Sequence, residues 1–100
     1  MKEWEIRNWE EKIENNQVAA FYLYTPMCGT CAVASKMLDV IENLLPDLPI
    51  GKANINFHQQ FALEHQIESV PCLLIYRKFE NVEKVYAFQS VPFLYEKLKI

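Results

Sequence analysis

The chain has 100 residues, 51% of them hydrophobic, and a formal net charge of −3. This size and apolar content predict a single compact domain spanning residues 1–100. With no basic block, the sequence argues against nucleic acid or an anionic membrane as a partner. No stretch approaches the roughly 20 apolar residues that cross a bilayer, and no signal peptide is evident, so we expect a cytoplasmic protein.

The first part of the chain predicts a short helix followed by a buried strand. Asn8 is a suitable N-cap, and Glu11 completes a capping-box pattern, which predicts a helix over 8–16. This helix should end at Asn15–Asn16, because asparagine tolerates the left-handed conformation. The continuous apolar run over 18–24 is typical of a strand covered on both faces, so we predict the central strand there. The alternation before Asn8 is too brief to decide whether an edge strand precedes the helix.

The remaining elements alternate between helix and strand. Apolar residues recur at helical spacing from Cys28 until Pro46 stops the pattern, which predicts a long helix beginning at Cys28. Ser90 is a suitable cap for a last helix that carries Pro92 in its first turn. Between these helices we predict strands over 50–55, 70–76 and 82–88, a short helix over 57–66 and a polar turn over 77–81. The order predicts a mixed α/β fold whose sheet is covered by helices.

Two of the three cysteines form a Cys-x-x-Cys motif, Cys28 and Cys31, between the predicted central strand and the long helix. A cysteine in the first turn of a helix lies near unpaired N–H groups and the positive end of the dipole, which stabilise its thiolate. A second cysteine one turn later is close enough to form a disulfide. Two incidental buried thiols are the alternative, and zinc-binding motifs share the spacing.

A strand followed by Cys28-Gly29-Thr30-Cys31 at a helix start, with Val70-Pro71 opening a later strand, resembles the thioredoxin family. The resemblance implies the thioredoxin fold, an α/β fold with a mixed four- to five-stranded sheet and helices on both faces. It also implies a thiol–disulfide oxidoreductase that works in electron transport and redox homeostasis. In this family the first cysteine, here Cys28, attacks and the second, here Cys31, resolves. Val70-Pro71 resembles the family's cis-proline segment, with a trans proline at a strand start as the alternative.

Several positions depart from the family's pattern. Met27 and Thr30 stand where most members have tryptophan and proline, and Thr30 brings an N–H and a hydroxyl, although the sequence does not give the direction of their effect. Tyr22 stands where the family keeps a buried aspartate, which removes the usual base for Cys31 and predicts slow resolution. Lys52 stands where the family keeps a buried lysine. It either lowers a thiol pKa or extends to solvent.

The other chemistry-bearing residues have structural interpretations. Cys72 follows the proline and is expected to be a small core residue, the alternative being a third thiol near the pair that modulates it or helps to bind a metal. His58 and His65 are expected to be surface or partly packed residues on the short helix. Four aromatic residues are expected to pack in the core or at its edge rather than form a ligand cage: Trp4, Trp9, Phe57 and Phe61.

The resemblance also implies how substrates are bound. An apolar surface of Pro26, Met27 and Val70 around the thiols suits the extended chain of a protein substrate. Residues expected to contact the substrate are Met27, Gly29, Thr30, Val70 and Pro71. We expect a monomer that needs no cofactor, reduces disulfide-containing proteins and is recycled by a flavoprotein thioredoxin reductase.

Three other functions compete with this one. A glutaredoxin-like protein linked to a low-molecular-weight thiol shares the fold, and Lys52, Arg77 and Lys78 are its candidate contacts to such a thiol. A non-catalytic adaptor would keep its partner after both cysteines of the pair are replaced. A metal-binding module would use Cys28, Cys31 and Cys72.

Overall fold

In the computed structural model, which describes residues 1–100, helices flank a five-stranded sheet. The strands are β1 (Lys2–Glu3), β2 (Val18–Tyr24), β3 (Ile50–Asn54), β4 (Cys72–Arg77) and β5 (Glu83–Val85). The helices are α1 (Ile6–Asn15), α2 (Cys31–Leu44), α3 (Gln59–Glu64) and α4 (Val91–Leu98), and a 3₁₀ turn spans Ile55–Phe57. None of these helices has the length and apolar character needed to span a membrane.

The sheet is mixed, and its strand order is β1-β3-β2-β4-β5. β3 runs parallel to both β1 and β2, while β4 is antiparallel to β2 and to β5. The predicted central strand is confirmed: β2 spans Val18–Tyr24 and has a neighbour on each side. A parallel pair such as β2 and β3 needs a crossover connection, and α2 supplies it.

Each face of the sheet carries its own hydrophobic cluster, because successive side chains of β2 point to opposite faces. One cluster joins Tyr22 of β2 to Cys31 and Leu38 of α2 and to Leu94 of α4. The other is aromatic and surrounds Phe21, with ring centroids of three neighbours at 5.3 to 5.9 Å, those of Trp4, Trp9 and Phe61. The predicted α/β sandwich is therefore confirmed.

The predicted end of the first helix at Asn15–Asn16 is confirmed, but its start and the conformation of its last residue need correction. α1 begins at Ile6 rather than near Asn8, and the Asn8 side chain instead accepts a hydrogen bond from the Glu5 N–H at 2.8 Å. Asn16 ends the helix in an extended conformation, with φ −136°, and not in a left-handed one. The side-chain amides of Asn15 and Asn16 donate to carbonyls of the last turn at 2.8 and 3.0 Å, so these asparagines cap the helix through their side chains.

The later elements are shorter than predicted. The strand expected over 70–76 begins at Cys72, and that expected over 82–88 is ordered as a strand only over Glu83–Val85. The short helix is divided because Asn54 accepts from the N–H of residue 56 at 3.0 Å and caps a 3₁₀ turn. Phe57 in that turn is 79% exposed, so its predicted packing role was wrong. The Ser90 cap is confirmed, since its hydroxyl accepts from the N–H of residue 93 at 3.2 Å.

Phe79 has an unfavourable conformation in the turn between β4 and β5. Its φ is +69°, and its side chain is 94% exposed. A bulky residue pays a steric cost there that glycine avoids. We expect Phe79→Gly to raise the free energy of unfolding by about 0.5–1 kcal/mol in urea titrations. Phe79→Ala is the matched control, since it keeps a Cβ; an equal gain in that variant would contradict the backbone explanation.

Candidate active site

Cys28 lies in the turn that leaves β2, just ahead of α2. The helix begins at Cys31, so the prediction that it starts at Cys28 was wrong by one turn. The Cys28 N–H donates to the Thr25 carbonyl, and the Cys31 N–H donates to the Cys28 carbonyl, both at 3.3 Å. These bonds make residues 25–31 a tight turn that leads directly into the helix.

The two cysteines are joined in a disulfide, with their Cα atoms 5.3 Å apart. Their environments differ, because Cys28 is half-buried whereas Cys31 is 5% exposed and belongs to the core cluster of α2. Within the first turn of α2, the N–H groups of Ala32 and Val33 find no backbone acceptor. The positive end of a 14-residue helix therefore lies beside the disulfide.

The Val70–Pro71 peptide bond is cis, so the predicted cis-proline segment is confirmed and the trans alternative is excluded. Val70 and Cys28 both pack at the edge of the same core cluster. Val70 lies outside β4 and makes none of the backbone hydrogen bonds found in loops and turns. Its N–H and carbonyl are therefore available to an extended chain that lies against this edge.

Tyr22 forms the floor of the site beneath the second cysteine. Its hydroxyl donates a hydrogen bond of 2.8 Å to the Cys31 backbone carbonyl. The side chain is 2% exposed, and burial raises the pKa of its hydroxyl to about 12. At neutral pH this phenol is uncharged and already bonded, so it is not a base for the Cys31 thiol.

Lys52 is the register partner of Tyr22 on β3 and lines a cavity of about 240 Å³ together with both cysteines. It is the one charged residue in that lining, and it forms no salt bridge in the structure. Its ammonium lies 5.7 Å from the centroid of the Tyr24 ring, at cation–π distance. The half-buried Lys52 thus contributes positive charge to the cavity beneath the disulfide.

Tyr24 also lines the cavity beside the disulfide, although the sequence did not single it out as a site residue. Its hydroxyl donates a short hydrogen bond to the Glu3 carboxylate, and its ring stacks on Tyr22 with centroids 5.7 Å apart. Burial, then the hydrogen bond and charge of Glu3, raise the pKa of Tyr24 to about 12. The sequence signal was the apolar–aromatic run of β2, but only the pairing of β1 with β3 brings Glu3 beside it.

Cys72 belongs to the aromatic cluster, which lies on the opposite face of the sheet from Cys31. Its side chain is fully buried, and burial raises the pKa of its thiol to about 11, opposed by Lys84 and by a hydrogen bond from Tyr86. Histidine, cysteine and carboxylate side chains nowhere gather into a metal-binding group. These observations favour the core interpretation of Cys72 over a third thiol beside the pair.

The buried Cys72 thiol makes folding stability depend on alkaline pH. Its pKa is raised from 9.0 to about 11, so its contribution is complete below pH 9 and is lost as the pH rises to 11. The loss should reach about 2–3 kcal/mol in urea unfolding of the oxidised protein. The Cys72→Ala variant has no thiol at this position and lacks this loss. The difference in free energy of unfolding between the unmodified protein and this variant, its stability deficit, should therefore shrink over the same interval. A deficit that stays constant with pH would contradict the assignment.

The two histidines lie at the ends of α3, which packs on the face away from Cys31. His58 precedes the helix, and His65 follows it with its ring 4.0 Å from that of Phe61. Arg77 and Lys78 lie beside Val18, at the opposite end of β2 from the disulfide. A seven-residue strand separates those ends by about 20 Å. The structure thus brings only Lys52 of the three basic candidates to the site.

The site residues expected to bind substrate are mostly accessible. Met27 is 93% exposed, Gly29 and Thr30 are exposed, and Val70 and Pro71 are half-buried. A groove of about 450 Å³ continues from Val70 between α3 and the segment that follows it. The sequence analysis missed this groove, whose apolar lining comes from Ile55, Ala62, Leu63, Ile67 and Val70.

Comparison with known proteins agrees with this geometry. The thioredoxin family model matches residues 1–99. The thioredoxin-like protein YusE of Bacillus subtilis (strain 168) is 46% identical over 95 residues, which cover 95% of this chain and 90% of YusE. A thioredoxin of Pyropia yezoensis is 31% identical over 77 residues, covering 76% and 72% of the two chains.

Solved structures show the same fold at low sequence identity. Oxidized mitochondrial thioredoxin 3 of Saccharomyces cerevisiae superposes with a TM-score of 0.84 at 16% identity, covering 99% of this chain and 93% of the yeast chain. A mutant thioredoxin from Halobacterium salinarum superposes with a TM-score of 0.80 at 18% identity, covering 99% and 89% of the two chains. With a family match over residues 1–99 and a relative of 46% identity, the chain belongs to the thioredoxin family of thiol–disulfide oxidoreductases.

Proposed function

We propose that this protein reduces disulfides in protein substrates, with Cys28 as the attacking thiolate and Cys31 as the resolving thiol. The observation that carries the proposal is the unequal burial of the two sulfur-bearing residues. A substrate disulfide can reach the half-buried Cys28, whereas Cys31 is enclosed by the core. The helix N-terminus stabilises negative charge at the same place, which favours the thiolate of Cys28.

The reaction proceeds through two exchanges. The Cys28 thiolate attacks one sulfur of the substrate disulfide, forms a mixed disulfide and releases the other substrate sulfur as a thiolate. Cys31, after losing its proton, attacks Cys28 Sγ and releases the second substrate thiolate. Two electrons have then passed to the substrate, and the enzyme holds the Cys28–Cys31 disulfide that the structure contains.

The surface beside the pair supports a protein substrate. Met27 is almost fully exposed next to Cys28, and the unpaired backbone groups of Val70 suit an extended chain. From Val70 such a chain continues into the apolar groove along α3. We further propose that the enzyme works as a monomer in the cytoplasm and is recycled by a flavoprotein thioredoxin reductase. Its site is complete within one chain and its disulfide is accessible through Cys28.

Reduction of insulin disulfides tests the function. The purified protein should accelerate insulin reduction by dithiothreitol, and it should turn over with NADPH and a thioredoxin reductase. Recycling by glutathione alone would favour the glutaredoxin-like alternative, which the distance of Arg77 and Lys78 from the disulfide argues against. Inactivity with every reductant would contradict the proposal and leave the adaptor function.

Resolution by Cys31 should be slow, because Tyr22 replaces a base beneath it. The mixed disulfide should persist longest at low pH, since the Cys31 thiol must lose its proton unaided. A carboxylate introduced by Tyr22→Asp should shorten that lifetime by about tenfold or more in stopped-flow measurements. Tyr22→Phe is the control and should resolve as slowly as the unmodified protein. A Tyr22→Asp variant that is folded but no faster would contradict the role assigned to Tyr22.

A further inference from the structure

Thr30 immediately precedes α2, yet its side chain does not cap that helix. A capping threonine usually has an extended backbone and accepts a hydrogen bond from an N–H of the first turn. Here the Thr30 backbone is helical, with φ −81° and ψ −14°, and its hydroxyl accepts no such bond. Instead, Oγ1 lies 3.6 Å from Cys28 Sγ. The hydroxyl therefore contacts the reacting sulfur.

The direction of this hydrogen bond follows from the oxidation state. Cys28 carries no hydrogen in the disulfide, so the Thr30 hydroxyl donates and the sulfur accepts. A disulfide sulfur is a weak acceptor, whereas bonds to an ionised acceptor are roughly twice as strong as neutral ones. The same contact must therefore strengthen when Cys28 becomes a thiolate, and it favours the reduced pair.

Building on the proposed function, we propose that the Thr30 hydroxyl donates a hydrogen bond to the Cys28 thiolate and makes this pair a weaker reductant than a site lacking the hydroxyl. The charge in the lining of the cavity acts in the same direction. Lys52 is the one charged residue lining the cavity under the disulfide. The carboxylate of Glu3, its register neighbour on β1, lies outside that lining and accepts a hydrogen bond from Tyr24.

The consequence can be measured against glutathione. In this exchange the Cys28–Cys31 pair loses two electrons as its disulfide forms, and one glutathione disulfide gains them and becomes two glutathione thiols. The pair releases two protons when Cys28 is a thiol and one when it is a thiolate, in which case the solvent supplies the second proton. Because the hydroxyl stabilises the thiolate specifically, its effect on the equilibrium should be full above the pKa of Cys28 and absent well below it. A merely structural role of Thr30 would not produce this pH dependence.

Thr30→Val and Thr30→Ser separate the hydroxyl from the shape of the side chain. Valine keeps the branched shape without the hydroxyl, and serine keeps the hydroxyl. In the reduced protein, the pH dependence of Cys28 alkylation by iodoacetamide should shift upward by about 0.5–1 unit in Thr30→Val and by less than about 0.2 in Thr30→Ser. At about pH 9, the exchange equilibrium with glutathione should favour the disulfide of Thr30→Val about fivefold more than that of the unmodified protein. This corresponds to a reduction potential about 20 mV more reducing.

Two results would overturn the inference. One is a Thr30→Val variant whose Cys28 is alkylated with the pH dependence of the unmodified protein. The other is a Thr30→Ser variant that behaves like Thr30→Val, which would assign the effect to side-chain shape. The alkylation measurement needs no substrate protein, so it distinguishes this inference from the proposed function. Failure of insulin reduction with an unchanged Thr30 effect would count against the proposed function alone.

Discussion

A Cys31→Ser variant should hold its substrate in a stable mixed disulfide, whereas Cys28→Ser should reduce insulin no faster than dithiothreitol alone. In Cys31→Ser the accessible Cys28 thiolate still attacks, but no thiol remains to release the substrate. In Cys28→Ser the only sulfur of the pair belongs to a residue that is 5% exposed and lies in the core, where a substrate disulfide cannot reach it. The two single variants should therefore fail in different ways.

Non-reducing gel electrophoresis after incubation with oxidised insulin measures this difference. Cys31→Ser should give a covalent adduct that dithiothreitol releases, and Cys28→Ser should give none. Cys72→Ala is the matched control, because its thiol is buried on the opposite face and takes no part in the exchange. That variant should keep the insulin activity of the unmodified protein. An adduct formed by Cys28→Ser through Cys31 would reverse the assigned roles.

The main elements of the fold could be predicted because they depend on burial patterns within the sequence. The apolar run Val18–Tyr24 has a side chain for each face of the sheet, and the structure covers both faces. Helix starts were less predictable because several polar residues compete to cap them. Asn8 is a better N-cap residue than Glu5, but Ile6 packs against the aromatic cluster. This packing favours a helix that begins at Ile6, two residues before Asn8.

The site was predictable to the level of the two sulfurs and the cis proline, and less so for their surroundings. That Lys52 lies beside Tyr22 depends on the register of β3 against β2, which no short segment encodes. The effect of Thr30 had no predictable direction, because a threonine ahead of a helix can cap it or turn elsewhere. Only the contact of 3.6 Å between Thr30 Oγ1 and Cys28 Sγ in the structure shows that the hydroxyl turns toward Cys28.

Gly51 should be the position in the sheet least tolerant of even a single added methyl group. It lies in β3 opposite Phe21 on one side and Lys2 on the other. A Cβ added there would overlap the Cγ, Cδ2 and Cε2 atoms of the Trp4 ring. Trp4 cannot move aside easily, since its backbone N–H donates to the Lys52 carbonyl at 2.8 Å and the centroid of its ring lies 5.7 Å from that of Phe21.

We therefore expect Gly51→Ala to lower the free energy of unfolding by about 2–3 kcal/mol, because overpacking outweighs the smaller entropic gain of replacing glycine. Urea unfolding of the oxidised protein measures this. Gly29→Ala is the matched control, since nothing lies within 4 Å of its added Cβ, and it should change stability by less than about 0.5 kcal/mol.

A double-mutant cycle identifies Trp4 as the cause. Trp4→Ala alone should cost about 3–5 kcal/mol by removing a buried ring. In that background Gly51→Ala should cost little, because the atoms that it would overlap are gone. Equal costs of Gly51→Ala in both backgrounds would place the strain in the backbone of β3. A smaller cost of Gly51→Ala in the Trp4→Ala background would show why β3 has a glycine at position 51: it leaves room for the Trp4 ring to lie across β3 and complete the aromatic cluster.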